Sequence, residues 1–204
     1  MIKYTRDMKY FLIGLGNPGE EYTHTPHNIG RDIVRMYIEK KNKKVIWKEH
    51  GPSKSTMASV AVGDHTIVAI LPNTYMNNSG KSAKELIVGE KNIERTIVIH
   101  DDLDLGIGAI KISFDRGSGG HKGVESITRA LKTSKYVRMR VGVSPTTPKG
   151  KVKKIQGGDT IVEFILKPLK KKDQGVIDAE TKIIFDAIDT IINDGKDIAM
   201  TRFN

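Results

Sequence analysis

Histidine, aspartate and asparagine side chains occur in several short segments between the apolar runs of this 204-residue chain. His100 and Asp101 follow one of these runs in that order, and His27 and His121 each precede a segment with helical spacing. A histidine beside a carboxylate suits general-base activation of water, because imidazole ordinarily titrates near neutral pH. Asparagines such as Asn17 and Asn77 supply donors and acceptors for a polar substrate or an oxyanion. The chain has no cysteine, which excludes thiolate catalysis and disulfide bonds, so these residues favour a hydrolase that activates water.

The segment Gly14–Gly19 has the G-x-G-x-x-G spacing that is typical of dinucleotide-binding folds. That motif requires a helix directly behind the glycines, so that a pyrophosphate can lie at the helix N-terminus. Here Pro18 interrupts the chain, two glutamates follow the last glycine, and helical periodicity begins only near Asn28. The sequence therefore argues against a nicotinamide or flavin cofactor, and we expect no cofactor.

The charge balance of the chain is strongly basic. Lysine and arginine number 34 against 24 aspartates and glutamates, which gives a formal net charge of +10 at pH 7. Such a surplus favours a polyanionic partner, with nucleic acid the first candidate, although general solubility is the plain alternative. Many of the lysines are concentrated in the segments 40–44, 149–154 and 167–172.

Two further features bear on where the protein works. No apolar stretch reaches the ~18 residues needed to span a membrane, and the first residues lack the apolar core of a signal peptide. No long apolar stripe marks a subunit contact. We therefore expect a cytoplasmic monomer that does not associate with membranes.

Apolar patterns along the chain alternate between strand spacing and helix spacing. Strands are predicted at 10–13, 55–62, 65–71, 95–105 (where a buried strand runs into an acidic loop), 108–114 and 136–143. Helices are predicted from Asn28, after an N-cap at Ser79, and at 124–132 and 174–192, whereas 160–166 fits either type. No linker or repeat is visible. We expect one α/β domain over 1–204 with a mixed sheet, an N-terminal extension at 1–9 and a flexible basic loop at 144–160.

Five segments, taken in order and with their spacing, resemble the signature blocks of bacterial-type peptidyl-tRNA hydrolases. They are residues 14–30, 72–80, 100–108, 117–127 and 138–143, and the resemblance extends to about Leu169. It implies a single α/β domain with a twisted mixed β-sheet flanked by helices on both faces. It also implies hydrolysis of the ester between a peptide and the 3′ end of tRNA, which recycles tRNA from prematurely released peptidyl-tRNA without a metal or cofactor.

The resemblance assigns catalytic roles to three residues of this chain. His27 corresponds to the general base that takes a proton from water. Asp101 corresponds to the carboxylate that orients this histidine and supports it electrostatically. Asn17 corresponds to an asparagine that orients the substrate and the catalytic histidine, which gives the glycine-rich segment a role unrelated to dinucleotides.

Further residues are implied to contact the substrate. Asn77 corresponds to a contact near the scissile ester, and Tyr22 and Met76 to residues that line the cleft for the terminal adenosine and the peptide. His121 corresponds to another substrate contact. Lys122, which follows it, is a departure, because the family usually has asparagine at this position.

Contacts to tRNA phosphates are implied for a second group of residues. Arg140 corresponds to a basic residue that binds phosphate, and Lys111 lies close to it in the pattern. Some members have a lysine where this chain has Ser113. We expect part of the lysine segment 149–154 to grip the acceptor stem through phosphates.

Two alternatives remain at this stage. One is an RNA-binding relative with the same fold and impaired catalysis, which the lysine at 122 favours. The other is a metal-dependent hydrolase or phosphotransferase, because Asp101, Asp102 and Asp104 are hard oxygen ligands. The plain interpretation of these three aspartates is an acidic loop that caps nearby amides.

Overall fold

Residues 8–204 are described by the structure, a computed structural model. The expected extension at 1–9 lies largely outside these residues, and Lys9 already begins the first strand. The strands are β1 (Lys9–Gly14), β2 (Lys48–His50), β3 (Ser55–Val62), β4 (His65–Pro72), β5 (Thr96–Gly106), β6 (Ile110–Phe114) and β7 (Val137–Ser144). The helices are α1 (Ile29–Lys41), α2 (Gly80–Leu86), α3 (Glu90–Glu94), α4 (Lys122–Leu131), α5 (Gly158–Leu166), α6 (Lys171–Asn193) and α7 (Lys196–Phe203).

All seven strands join one sheet in the order β2-β3-β4-β1-β5-β7-β6. Its central strands β4, β1, β5 and β7 are parallel, whereas β2, β3 and β4 pair antiparallel and β6 pairs antiparallel with β7. Parallel strands that are covered on both faces are apolar at consecutive positions, as 11–13 and 97–99 are here. The predicted mixed sheet is confirmed.

Each face of the sheet carries its own apolar cluster. Leu12 of β1 joins one cluster with α1, α6 and α7. Its neighbours Phe11 and Ile13 join the other cluster, with α2 and α4, because successive side chains of a strand point to opposite faces. Helices on both faces, as the resemblance implies, are therefore confirmed.

Two glycines bring helices close to the strand ends where the polar residues lie. A Cβ on Gly30, at the start of α1, would overlap the carbonyl oxygen of Ile99 in β5. A Cβ on Gly80, at the start of α2, would likewise overlap the carbonyl oxygen of Ser126 in α4. The first contact places the turn before α1 above β5, and the second sets α2 against α4.

Several predicted elements differ from the structure. The acidic residues after His100 do not form a loop, because β5 continues through them and Asp101 pairs with Val141 of β7. Residues 160–166, which fit either type, belong to helix α5. Ser79 precedes α2 but does not cap it with its side chain, since its hydroxyl donates to the Met76 carbonyl.

Other boundaries shift by a few residues. The loop expected at 144–160 includes the last residue of β7 and the first turn of α5, and a single bridge pairs Thr146 with Val152 within it. Helix α6 begins three residues before the predicted 174. The sequence did not predict β2, α3 or α7. Among residues 8–204, no helix combines the length and apolar character needed to cross a membrane.

Candidate active site

The candidate site lies at the carboxyl end of the parallel strands. β1 pairs with both β4 and β5, so the three strands end at the same edge of the sheet. Asn17 follows β1, Met76 follows β4, and Asp101 lies in the second half of β5. His27 lies in the 3-10 turn Pro26–Asn28, directly before α1. Open α/β sheets place their ligand sites at this edge.

Asp101 is the centre of the site, and two histidines donate to its carboxylate. Nδ1 of His27 lies 3.0 Å from Oδ1 and 3.2 Å from Oδ2. Nε2 of His121 lies 2.8 Å from Oδ1. The Asp101 side chain is only 4% exposed, so these bonds are sheltered from water.

The hydrogen bonds determine which ring nitrogens carry protons. Nδ1 of His121 accepts from the amides of Gly123 and Val124 at 3.2 and 3.4 Å, as the N-cap of α4. Its proton is therefore on Nε2, which donates to Asp101. The Nδ1 atom of His27 likewise donates to Asp101, which leaves its Nε2 with a lone pair. No described residue hydrogen-bonds to that Nε2, so it is available as a base.

The charge of Asp101 is stabilised by its neighbours. Burial on its own would raise the pKa of this carboxyl. The hydrogen bonds from His121 and His27, together with the positive charge of either ring when it is protonated, outweigh burial and hold the pKa of Asp101 well below its usual range. Asp101 is therefore ionised at neutral pH and can stabilise a positive charge on His27.

A third histidine, His100, lies beneath this pair. It is 1% exposed, and its Nδ1 donates to the backbone carbonyl of Asp101 at 2.7 Å. Burial lowers the pKa of His100 well below its usual range, and the charge of His121 would lower it further whenever that ring is protonated, so the His100 ring stays neutral. Sequence reasoning assigned no role to His100, although its position directly before Asp101 was a signal.

Asn17 fastens the segments around the site. Its Oδ1 accepts from the Met76 amide at 2.8 Å, and its own amide donates to Oδ1 of Asn28 at 2.8 Å. Nδ2 of Asn28 in turn donates a hydrogen bond to the Asn17 carbonyl at 2.9 Å. Asn17 therefore ties the loop after β1 to the turn that carries His27 and to the turn after β4. Its bonds go to Met76 and Asn28, and none of them reaches His27 itself.

The remaining predicted cleft residues flank these segments. Met76 is buried, and the absence of a Cβ on Gly123 makes room for its sulfur. The next residue, Asn77, is exposed, with its Oδ1 accepting weakly from Asn78 at 3.4 Å. Tyr22 is half-buried, in the 3-10 turn Glu20–Tyr22.

Three cations on β6 and β7 form a group that we call the basic strip: Lys111, Arg138 and Arg140. Lys111 lies directly opposite Arg140 in the strand register. Nε of Arg140 donates to Asp102, which leaves the two terminal nitrogens of its guanidinium for other partners. Arg138 is 5% exposed and makes no hydrogen bond or ion pair with a residue in 8–204. Its burial was not predicted, because strand alternation alone gives no hint of it.

Comparison with known proteins identifies the family. The sequence model described as peptidyl-tRNA hydrolase matches residues 11–204 of this chain. The chain belongs to the peptidyl-tRNA hydrolase family. The peptidyl-tRNA hydrolase of Solibacter usitatus is 36% identical over 196 residues, which span 96% of this chain and 94% of the relative. That of Koribacter versatilis is 37% identical over 196 residues, which span 95% of this chain and 91% of the relative.

A solved structure shares the fold. The peptidyl-tRNA hydrolase of Acinetobacter baumannii superposes with a TM-score of 0.82 at 24% identity, over 96% of this chain and 94% of that one. The fold expected from the resemblance is thereby confirmed.

Lys122 is the position at which this peptidyl-tRNA hydrolase family member departs from the expected asparagine. Its side chain is 70% exposed, and its ammonium lies 3.2 Å from the carboxylate of Glu125, one turn along α4. The charge of Lys122 is therefore directed along the outside of α4. The structure shows no contact between Lys122 and the Asp101 carboxylate or its two histidines.

The three aspartates considered as metal ligands do not converge in this family member. Asp102 accepts from Arg140 and from the amide of Asp104, whereas Asp101 faces the histidines. The side chains of His27, Asp101 and His121 do cluster, with ligand atoms within 4.8 Å of one another. However, Nε2 of His121 carries a proton as long as its Nδ1 caps α4, so it offers no lone pair to a cation. These residues do not fit a metal ion.

Proposed function

We propose that this chain hydrolyses the ester between a peptide, or an N-blocked amino acid, and the 3′ end of tRNA, with His27 as the general base. Membership of the peptidyl-tRNA hydrolase family supports the substrate class. The observation that carries the mechanism is the bond from His27 Nδ1 to the buried Asp101 carboxylate, which leaves Nε2 with a free lone pair.

The proposed reaction needs no covalent intermediate with the protein. Nε2 of His27 takes a proton from water as the water oxygen forms a bond to the ester carbonyl carbon. The resulting tetrahedral intermediate expels the ribose oxygen, which takes the proton back from the imidazolium. Asp101 stabilises that imidazolium while it exists. General-base assistance of this kind accelerates a reaction by about 10²–10⁴-fold.

The substrate would be held by residues around the His27 turn. We assign Tyr22, Met76 and Asn77 to the terminal adenosine and the adjoining peptide, since two of the three have exposed surface beside the turns that Asn17 fastens. We assign Lys122 to a contact at the outer edge of the substrate site. Its ammonium, which pairs with Glu125 in the structure, would leave that carboxylate to reach the substrate.

The basic strip would bind phosphates of the tRNA. Arg140 and Lys111 face each other across β6 and β7, and Arg138 adds a buried cation that makes no ion pair or hydrogen bond with a residue in 8–204. Lysines of 149–154 would extend this contact toward the acceptor stem. All of these groups come from one chain, so we assign the activity to a monomer, working in the cytoplasm where tRNA is used.

A catalytically impaired RNA-binding protein is the second hypothesis, and the lysine at position 122 is the feature that favours it. That support weakens because the Lys122 ammonium pairs with Glu125 and leaves the His27–Asp101 bond intact. We therefore favour the enzyme.

The substrate class is tested by incubating the protein with N-acetyl-aminoacyl-tRNA and, separately, with the same aminoacyl-tRNA left unblocked. We expect release of the amino acid from the blocked substrate and little release from the free amine. Binding of both RNAs without release from either would support the impaired relative instead. Equal release from both would indicate a general esterase and contradict the proposal.

A further inference from the structure

We propose that His121 is a positioning residue that acts through Asp101, and that it makes no direct contact with the substrate. Because its ring is fixed at the α4 N-terminus, His121 holds the Asp101 carboxylate in one orientation. The same bond limits how strongly that carboxylate stabilises a protonated His27. This inference rests on the proposed function of His27 as the base.

Both nitrogens of the His121 ring are already engaged within the protein. Nδ1 accepts from the amides of Gly123 and Val124, and Nε2 donates to Oδ1 of Asp101. The side chain is 9% exposed. Its ring lies between two others, with centroids 5.2 Å from that of His27 and 4.6 Å from that of His100. A substrate would therefore find no free polar atom on this ring.

His121 and His27 compete for one oxygen. Both donate to Oδ1 of Asp101, at 2.8 and 3.0 Å. Each donor draws negative charge away from the other, so the bond from His121 weakens the stabilisation that Asp101 gives to a protonated His27. The same bond prevents the carboxylate from turning away from His27.

The groups that face this cluster allow the effect to be isolated. His100 of β5 stays neutral, because burial lowers its pKa. Arg138 of β7 keeps its charge throughout the range in which histidines titrate, since arginine titrates far above it. From α4, Lys122 and Glu125 pair with each other on the outer side. Histidine titration therefore dominates the pH dependence of the cluster near neutral pH.

The test replaces His121 with asparagine. Asparagine is a preferred N-cap, so His121→Asn keeps α4 capped, but its shorter side chain cannot also reach Asp101. We expect the acidic limb of the kcat/KM profile for N-acetyl-aminoacyl-tRNA to move up by roughly one pH unit, with kcat near pH 6 falling up to about tenfold and KM unchanged. The matched control is His65→Asn, the same change at the opposite end of β4 from the site.

Two results would overturn the inference. A raised KM with an unmoved acidic limb would make His121 a substrate contact, as the resemblance implies. A profile identical to that of the unaltered protein would show that the bond to Asp101 has no catalytic effect.

A second measurement does not depend on how the variant folds. Nitrogen-15 NMR of the imidazole rings in the unaltered protein, recorded at about pH 8, should show His121 protonated on Nε2 and unprotonated on Nδ1. Protonation on Nδ1 instead would overturn the inference. If His121 were protonated on Nε2, as expected, but the protein cleaved no ester, the proposed function would fail while the hydrogen-bond assignment stood.

Discussion

Nδ1 of His27 lies 3.0 Å from Oδ1 of Asp101, although the two residues are 74 positions apart in the chain. The turn before α1 supplies the histidine and β5 supplies the carboxylate, and Gly30 lets the two approach by packing against the Ile99 carbonyl. This pairing orients the ring, fixes its tautomer and leaves Nε2 free.

Asp101→Asn should abolish most of the activity while the fold remains. An amide cannot stabilise the imidazolium by charge, and it can turn its NH₂ group toward His27 and favour the wrong tautomer. We expect kcat to fall on the order of 10³–10⁴-fold, as for a comparable substitution in serine proteases. Single-turnover cleavage of N-acetyl-aminoacyl-tRNA measures this. Asp104→Asn, an exposed carboxylate of the same strand, is the control, and an equal loss in both variants would contradict the assignment.

Asn17→Ala should weaken both stability and substrate binding. It leaves the buried Met76 amide without its acceptor, which costs roughly 1–3 kcal/mol in the free energy of unfolding. We also expect KM to rise, because the turn that carries Asn77 loses its anchor. Denaturant unfolding and steady-state kinetics measure the two effects. Asn17→Asp keeps an acceptor for Met76 and should lose less stability than Asn17→Ala; equal losses would argue against this bond.

Arg138→Met should separate RNA binding from stability. It removes a buried cation that has no hydrogen-bonded partner among residues 8–204, so the free energy of unfolding should stay level or rise. Binding of tRNA should weaken, and the slope of log affinity against log salt should flatten by about one. Arg202→Met, on α7 across the sheet, serves as the control. Lower stability with an unchanged salt slope would make Arg138 a purely structural residue.

The free energy of unfolding should fall as the solution becomes acidic, because the pKa values of His100 and Asp101 are both lowered in the folded protein. The pKa of His100 is lowered by burial, so below about pH 6.5 the unfolded chain binds a proton at this residue that the folded chain does not bind. The pKa of Asp101 is lowered as well, which adds a similar loss below about pH 4. Each such group removes stability as pH falls, at a limit of about 1.4 kcal/mol per pH unit.

Unfolding free energies measured between about pH 7 and about pH 5 test this account, since histidines titrate there. His100→Asn should flatten the pH dependence in that window, while its bond to the Asp101 carbonyl can be kept by the asparagine amide. An unchanged slope in the variant would show that His100 is not the group responsible.

Much of this arrangement could be anticipated from the sequence. Apolar runs at 11–13 and 97–99 predicted the central strands, and the polar residues that follow them predicted a site at one edge of the sheet. The roles of His27 and Asp101 came from the resemblance, because spacing alone does not say which loops meet. The acidic residues after His100 lie within strand β5 and not in the predicted loop, because pairing with β7 overrides the weak strand preference of acidic residues.

The second donor to Asp101 was beyond sequence reasoning. Histidine is not among the preferred N-caps, so nothing in the pattern indicated that His121 accepts from the α4 amides and turns its Nε2 toward β5. The burial of Arg138 was equally hidden. Its neighbours alternate as in any strand, and burial at its own position depends on the tertiary packing of that face of the sheet.

The most direct test of the account compares His27→Ala with the unaltered protein in single-turnover cleavage of N-acetyl-aminoacyl-tRNA, with tRNA affinity and thermal unfolding measured on the same samples. We expect the cleavage rate to fall by about 10²–10⁴-fold, because a general base lowers the barrier and contributes little to ground-state binding. Affinity and unfolding temperature should stay close to those of the unaltered protein. Cleavage at a comparable rate by the folded variant would contradict the central claim that His27 activates the water.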